Sequence, residues 1–506
     1  MAMGYPTLLL VLLGTLAIAD ANYINNSVYD TRIAPEDRVM VCYYGTWAVY
    51  RPGKGKFDVE DIDVNICTHI VYGFACLKNG KIASYDPWND LYDNYGKGAY
   101  LRFTGLKEQN PNLVAILAIG GWNEGSKKYS QMAKTQESRA KFIASCVEFL
   151  QKFNFDGLDL DWEYPSQRGG APEDKVNYGL LLEEMRPVFD EHGLLMTAAT
   201  SPGKQVIDPA YDIESMAKNL DIMNLMAYDY HGAWDNFAHV NTPMYQHHLD
   251  VEEPNIWFNV DYTVQYYISL GFPANKIALG TASYGRCFTL QKSDDHDIYS
   301  PAPQAGAQGP YTREPGMLGY NEICEKFMQQ EWTVVRDEET LVPYCFQDRQ
   351  WCGYDDLDSL TIKINYAIQN DMMGAMIWSI ETDDFQGLCH DEAFPLIKHI
   401  RRELLGGGDV TIPTPPTPTT TTRDPSLPTL PPTTSTTTTP APPTLPPTEV
   451  CHREGLNTDP QDCHSFYECH TVGDHWEYFH FQCSAGTVFV EELQLCDFEA
   501  AHPDLC

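Results

Sequence analysis

The chain has 506 residues, 43% of them hydrophobic, with 34 basic against 70 acidic side chains and a formal net charge of -36. That length exceeds one ordinary domain, and the apolar content is ample for a large core. So large an excess of carboxylates excludes nucleic acid and anionic membrane as partners, because both are bound through Lys and Arg patches; it suits an uncharged substrate.

Residues 1–21 read as a signal peptide. Leu8 to Ile18 form an apolar core, and Ala17-Ile18-Ala19 or Ala19-Asp20-Ala21 offers a small-residue cleavage site, although the usual basic residues ahead of the core are missing. The core is too short to span a bilayer and no later run qualifies, so a secreted, extracellular protein with no membrane partner is expected. Fifteen cysteines, nine before residue 400 and six after 450, agree with an oxidising compartment. Asn25-Asn26-Ser27 is an N-glycosylation acceptor at Asn25.

Residues 22–405 hold eight short apolar runs separated by helical stretches: Val39 to Tyr44, His69 to Ala75, Leu113 to Ile119, Phe155 to Glu163, Leu194 to Thr200, Ile222 to Tyr228, Ile277 to Tyr284 and Met373 to Ile380. Near-continuous apolar strands alternating with helices predict an α/β domain with a parallel sheet, and eight units predict a closed (β/α)8 TIM barrel with its site at the C-terminal strand ends. About ninety residues separate the seventh and eighth runs. That is too many for one crossover helix, so residues 287–355 are expected to form a small α+β insertion walling one side of a cleft.

The fourth run carries the chemistry. In Asp156-Gly157-Leu158-Asp159-Leu160-Asp161-Trp162-Glu163, strand alternation puts Asp159, Asp161 and Glu163 on one face, successive ones roughly 7 Å apart. Each unpaired buried charge costs several kcal/mol, so packing does not explain the pattern. Burial and mutual repulsion raise at least one carboxyl pKa, which is how a carboxylic acid stays protonated near neutral pH and serves as general acid. A metal site or an exposed acidic edge is the plainer alternative, but Phe153, Phe155, Leu158, Leu160 and Trp162 leave no polar face for it. No metal or cofactor is expected.

After Gly406-Gly407-Gly408 the chain turns almost wholly to Thr, Pro and Ser, and residues 406–449 read as an extended, O-glycosylated linker that cannot offset its ordering entropy by burial. Residues 450–506 hold Cys451, Cys463, Cys469, Cys483, Cys496 and Cys506. So small a module relies on disulfides, three of them here, with fifteen connectivities open to six cysteines. Its aromatic residues suit stacking on sugar, with Trp476 and Tyr478 the expected exposed pair. Its six histidines show no recurring ligand spacing.

These motifs resemble the family-18 glycoside hydrolases, the chitinase family. Phe155 to Glu163 is similar to that family's acidic fourth-strand signature, and Ala118-Ile119-Gly120-Gly121-Trp122 to its third-strand motif. Met226-Ala227-Tyr228-Asp229-Tyr230-His231-Gly232, Ser283-Tyr284-Gly285-Arg286 and Gly374-Ala375-Met376-Ile377-Trp378 resemble the ends of the sixth, seventh and eighth strands. The resemblance implies substrate assistance, an exception to the two-carboxylate rule, in which the sugar's 2-acetamido oxygen is the nucleophile and configuration is retained. Glu163 would be the acid and then the base, Asp161 would hold the acetamide N–H, and Asp159 would share a proton or hydrogen bond with Asp161. Tyr228 would hydrogen-bond the acetamido oxygen. Met226, Asp229, Tyr284 and Arg286 would line the same subsite, Trp378 would be its floor, and Tyr43, Trp47, Phe74, Trp122 and Trp234 would line the groove. Gly120 and Gly121 would let backbone approach the cleft. Cys42–Cys67 and Cys324–Cys389 match family disulfides. Cys345–Cys352 would close a hairpin in the insertion, which leaves an odd, buried thiol among Cys76, Cys146 and Cys287. The C-terminal module resembles the peritrophin-A type chitin-binding domain, which implies Cys451–Cys469, Cys463–Cys506 and Cys483–Cys496. The expectation is a monomeric, secreted endochitinase acting on chitin and chito-oligosaccharides, with an inactive chitin-binding lectin on the same fold as the alternative.

Overall fold

The computed structural model describes residues 33–329 and 332–406 and, further on, 451, 453, 455–460, 462–472, 475–482, 487–490 and 495–498. The expected signal peptide, the Asn25 acceptor and the linker lie outside the described residues.

Eight parallel strands close into a barrel: β1 (Val39–Gly45), β2 (His69–Lys78), β3 (Val114–Gly120), β4 (Gly157–Asp161), β5 (Leu195–Thr200), β6 (Ile222–Leu225), β7 (Ile277–Ala282) and β8 (Gly374–Trp378). Each pairs with its sequence neighbours, and β8 returns to β1 with Val39 opposite Gly374 and Cys42 opposite Ile377. Strand alternation sorts β1 into two cores: Val39, Val41 and Tyr43 fill the barrel, while Met40, Cys42 and Tyr44 pack outward. The outer shell includes the helices Gln136–Lys152, Asp174–His192, Val260–Ser269 and Leu357–Gln369. Their starts are set by local chemistry: Thr135 and Ser138 form a capping box, and Asn259 accepts from Tyr262 N at 2.8 Å.

The long seventh connection is a small α+β unit. Its antiparallel sheet includes Tyr284–Thr289, Met317–Gly319, Thr333–Arg336, Pro343–Gln347 and Gln350–Gly353, with the helix Tyr320–Met328. The sheet begins at Tyr284, three residues before the expected boundary, because the first strand leaves β7 after a single residue.

One expected disulfide is corrected here. Cys345 and Cys352 do stand opposite each other across a hairpin, but Cys352 also faces Cys287 on its other side, and the bond joins Cys287 to Cys352. Hairpin proximity gave Cys352 one neighbour; the third strand supplied another. Cys345 is a buried thiol whose Sγ lies 3.6 Å from Cys352 O, and Cys76 and Cys146 are also free. Cys42–Cys67 and Cys324–Cys389 are bonded.

The C-terminal unit is described by itself. Gly455–Thr458, Ser465–Val472 and His475–Gln482 form an antiparallel sheet, Thr487–Val490 pairs with Leu495–Phe498, and Cys451–Cys469 is bonded. Cys463 is disulfide-bonded too; its expected partner Cys506, and Cys483 of the third expected pair, lie outside the described residues. Trp476 and Tyr478 stand opposite Thr471 and Cys469 in the strand register; their side chains lie outside the described residues.

Candidate active site

The acids of β4 form a graded column at the C-terminal end of the barrel. Leu158 and Leu160 pack outward, while Asp159 is fully buried, Asp161 is 3% exposed, and Glu163, just past the strand end, is half-buried. Asp159 accepts from Tyr43 OH at 2.8 Å on Oδ2, and from Thr197 Oγ1 at 2.5 Å and Asn224 Nδ2 at 3.0 Å on Oδ1. Burial raises its pKa against the pull of those donors. Asp161 Oδ1 is buried and meets no donor. Burial first, then the carboxylates of Glu163 and Asp159, hold the Asp161 pKa well above the usual carboxylate range. Burial pushes Glu163 up to about 7, with Tyr164 and the Arg168 guanidinium pulling it down and Asp229 pushing it further up.

Backbone economy lets the column sit tightly. Gly121 N donates to Asp161 O at 2.9 Å, and Gly120 has φ +124, where a Cβ would lie 1.9 Å from that oxygen. Only glycine fits. A Cβ on Gly121 would meet the Phe74 ring at 2.9 Å.

Around the column the expected site residues gather as follows. Tyr228 lies in the barrel core with its hydroxyl 3.8 Å from Met376 Sδ, and Met226 packs in the same cluster. Tyr284 OH donates to Asp229 Oδ1 at 2.5 Å, and Arg286 grips both Asp229 oxygens at 2.7 Å. That bidentate pair is the strong form of a charge-assisted hydrogen bond. Trp378 ends β8 and meets Tyr43, Phe74 and Trp47 at ring-centroid distances of 5.5, 5.8 and 6.0 Å. Trp47, Trp122 and Trp234 are 42, 60 and 56% exposed, which makes them aromatic faces open to solvent at a buried acid site. Tyr43, expected to line the groove, is instead 1% exposed and braces Asp159. Trp351 is buried in the insertion and donates to His296 O at 2.9 Å, a structural role.

Three participants were not foreseen. Thr197 and Asn224 hold Asp159 from β5 and β6, and Arg168 reaches Glu163 O at 3.0 Å from the loop after β4. Thr197 and Asn224 did carry a signal, since each is a polar residue inside an otherwise apolar run.

Among the described residues, no cluster of possible metal donors includes Asp159, Asp161 or Glu163. The buried His231, His239 and Asp250 come within 4.8 Å of one another, but the two imidazoles stack at 3.9 Å between centroids, so their in-plane lone pairs run side by side and do not converge on an ion.

A closed parallel barrel whose C-terminal rim holds a protonatable glutamate, a donor-starved aspartate and open indole faces has the make-up of a sugar-cleaving enzyme. The chain belongs to the family described as "Glycosyl hydrolases family 18", whose model matches residues 39–383. The model of the "Chitin binding Peritrophin-A domain" matches residues 451–504. The chain is 44% identical over 365 residues to "Probable chitinase 2" of Drosophila melanogaster, covering 70% of this chain and 74% of that one. Among solved structures it is similar to the Group IV chitinase of Ostrinia furnacalis in complex with allosamidin, at 43% identity and a TM-score of 0.71, covering 73% of this chain and 100% of that one. It is also similar to human YKL-39, described as a pseudo-chitinase with retained chitooligosaccharide binding properties, at 36% identity and a TM-score of 0.67, covering 73% of this chain and 100% of that one.

Proposed function

We propose that this protein is a secreted chitinase that hydrolyses internal β-1,4 N-acetylglucosamine linkages with retention of configuration, using the sugar's own 2-acetamido oxygen as nucleophile. The observation that carries the reading is the buried Asp161 Oδ1 that meets no donor, beside an acid held at about 7. A buried acceptor without a donor is costly, so a ligand N–H is the group that site accommodates best. An acetamide N–H aimed there turns the acetamide oxygen toward the anomeric carbon.

Glu163, half-protonated near neutral pH, then donates to the glycosidic oxygen and afterwards takes a proton from the attacking water. Asp159 is unsuited to be the nucleophile, because Tyr43, Thr197 and Asn224 occupy its oxygens. The positive oxazolinium forming beside Asp161 draws that carboxyl toward its charged form and is stabilised by it, since a nearby opposite charge favours ionisation. The open faces of Trp47, Trp122 and Trp234 suit the apolar C–H faces of pyranose rings. The C-terminal module keeps the enzyme on insoluble polymer by raising local concentration. Secretion is supported by the apolar N-terminal core and by the disulfides of the barrel domain.

Product analysis with chitin hexamer tests the reading. Glu163→Gln is expected to lose nearly all turnover while still binding the hexamer, and oligomers bearing free amines at the cleavage point are expected to resist the native enzyme. Substantial hydrolysis in either case refutes it. The lectin alternative draws on the likeness to YKL-39; hexamer binding without any product from the native protein would favour it.

A further inference from the structure

Arg168 belongs to none of the motifs that define the site. It lies on the loop after β4 with φ 50, exposed to solvent. Its guanidinium nevertheless makes three contacts at the rim. Its carbon sits 3.6 Å from the centre of the Trp122 ring, and Nη1 donates to Trp122 O at 2.8 Å and to Glu163 O at 3.0 Å. Trp122 follows directly on Gly121 in a short turn and is 60% exposed.

An indole so exposed is free to turn unless something holds it. A planar guanidinium covering one face fixes the ring and leaves the opposite face for a ligand. The same group ties the end of β3 to the end of β4 through the two carbonyls. We infer that Arg168 is a positioning residue: it presents Trp122 as a one-faced platform for a pyranose ring and sets the field at Glu163. This rests on the chitinase reading.

The groups facing Glu163 are Asp161 on β4, Tyr164 and Arg168 on the loop after it, and Tyr228 and Asp229 after β6. Arg286 is engaged by Asp229, so among the described residues Arg168 is the cation left to act on the acid. Arg168 holds the Glu163 pKa down; without it the acid keeps its proton to higher pH.

Full-length protein is assayed on chitin hexamer across pH. Arg168→Ala is expected to raise KM about fivefold, equivalent to about 1 kcal/mol at 1.4 kcal/mol per decade, with kcat within about twofold. It is also expected to move the basic limb of kcat/KM upward by about half a pH unit. Arg168→Lys keeps the charge but not the flat stack or the fork, so KM rises while the limb stays in place. In a Trp122→Ala background, Arg168→Ala adds nothing further to KM yet still moves the limb. Native enzyme that cleaves hexamer while both Arg168 variants match it in KM and pH profile overturns this inference alone. Native enzyme that neither binds nor cleaves hexamer overturns the chitinase reading and this inference with it.

Discussion

Replacing Glu163 by Gln should make the protein more stable above neutral pH, although it removes the proposed acid. Burial holds the Glu163 carboxyl at about 7 instead of the ordinary 4.5, so the folded state binds its proton more tightly than the unfolded chain does. Folding is therefore unopposed by this group below about 4.5, loses free energy as pH rises from there to 7, and carries the full penalty above 7. At 1.36 kcal/mol per pH unit the gap corresponds to about 3 kcal/mol. The side chain sits at a part-solvated rim, which reduces the penalty to about 2 kcal/mol. Gln has nearly the same shape and no charge. The two proteins should unfold alike at pH 4.5, and the variant's larger thermal transition should lie a few degrees higher at pH 8. Calorimetry of the full chain at both pH values measures this. Equal transitions at pH 8, or a gap of the same size at both pH values, would refute the claim that burial in the fold holds this acid protonated.

The same carboxyl should set the basic limb of kcat/KM, with the rate falling as pH rises through about 7; a flat profile from pH 6 to 9 would contradict the assignment. Gly120→Ala should cost more than about 3 kcal/mol and abolish activity, since its Cβ would meet Asp161 O at 1.9 Å; calorimetry and hexamer turnover check both. Arg286→Ala leaves Asp229 without its bidentate partner and should weaken hexamer binding on the order of tenfold or more, measured by titration on the Glu163→Gln background. Peptide mapping without reductant should recover Cys287 linked to Cys352 and alkylate Cys345 only after unfolding. Ending the chain after Gly406 should reduce hydrolysis of insoluble chitin far more than that of short oligomers; equal loss on both would remove the proposed role of the C-terminal module.

The sequence by itself determined the strands and the acids. Eight apolar runs between helical stretches were enough for the closed barrel, because strands buried on both faces read as uninterrupted apolar segments. The period-2 spacing of Asp159, Asp161 and Glu163 placed the acids on one side of one strand, and the structure turns the first two into the barrel. The tertiary structure decided what those acids touch. Thr197 and Asn224 lie 38 and 65 residues from Asp159 along the chain and meet it only because β5 and β6 close beside β4 in a particular register. Cys352 chose Cys287 over its hairpin neighbour for the same reason, a third strand laid alongside. Arg168 reaches Trp122 only through the way two loops fold over the rim. Alternation along a strand reports which face a side chain takes, whereas its partners across the sheet are fixed by pairing register and closure, which no single segment encodes.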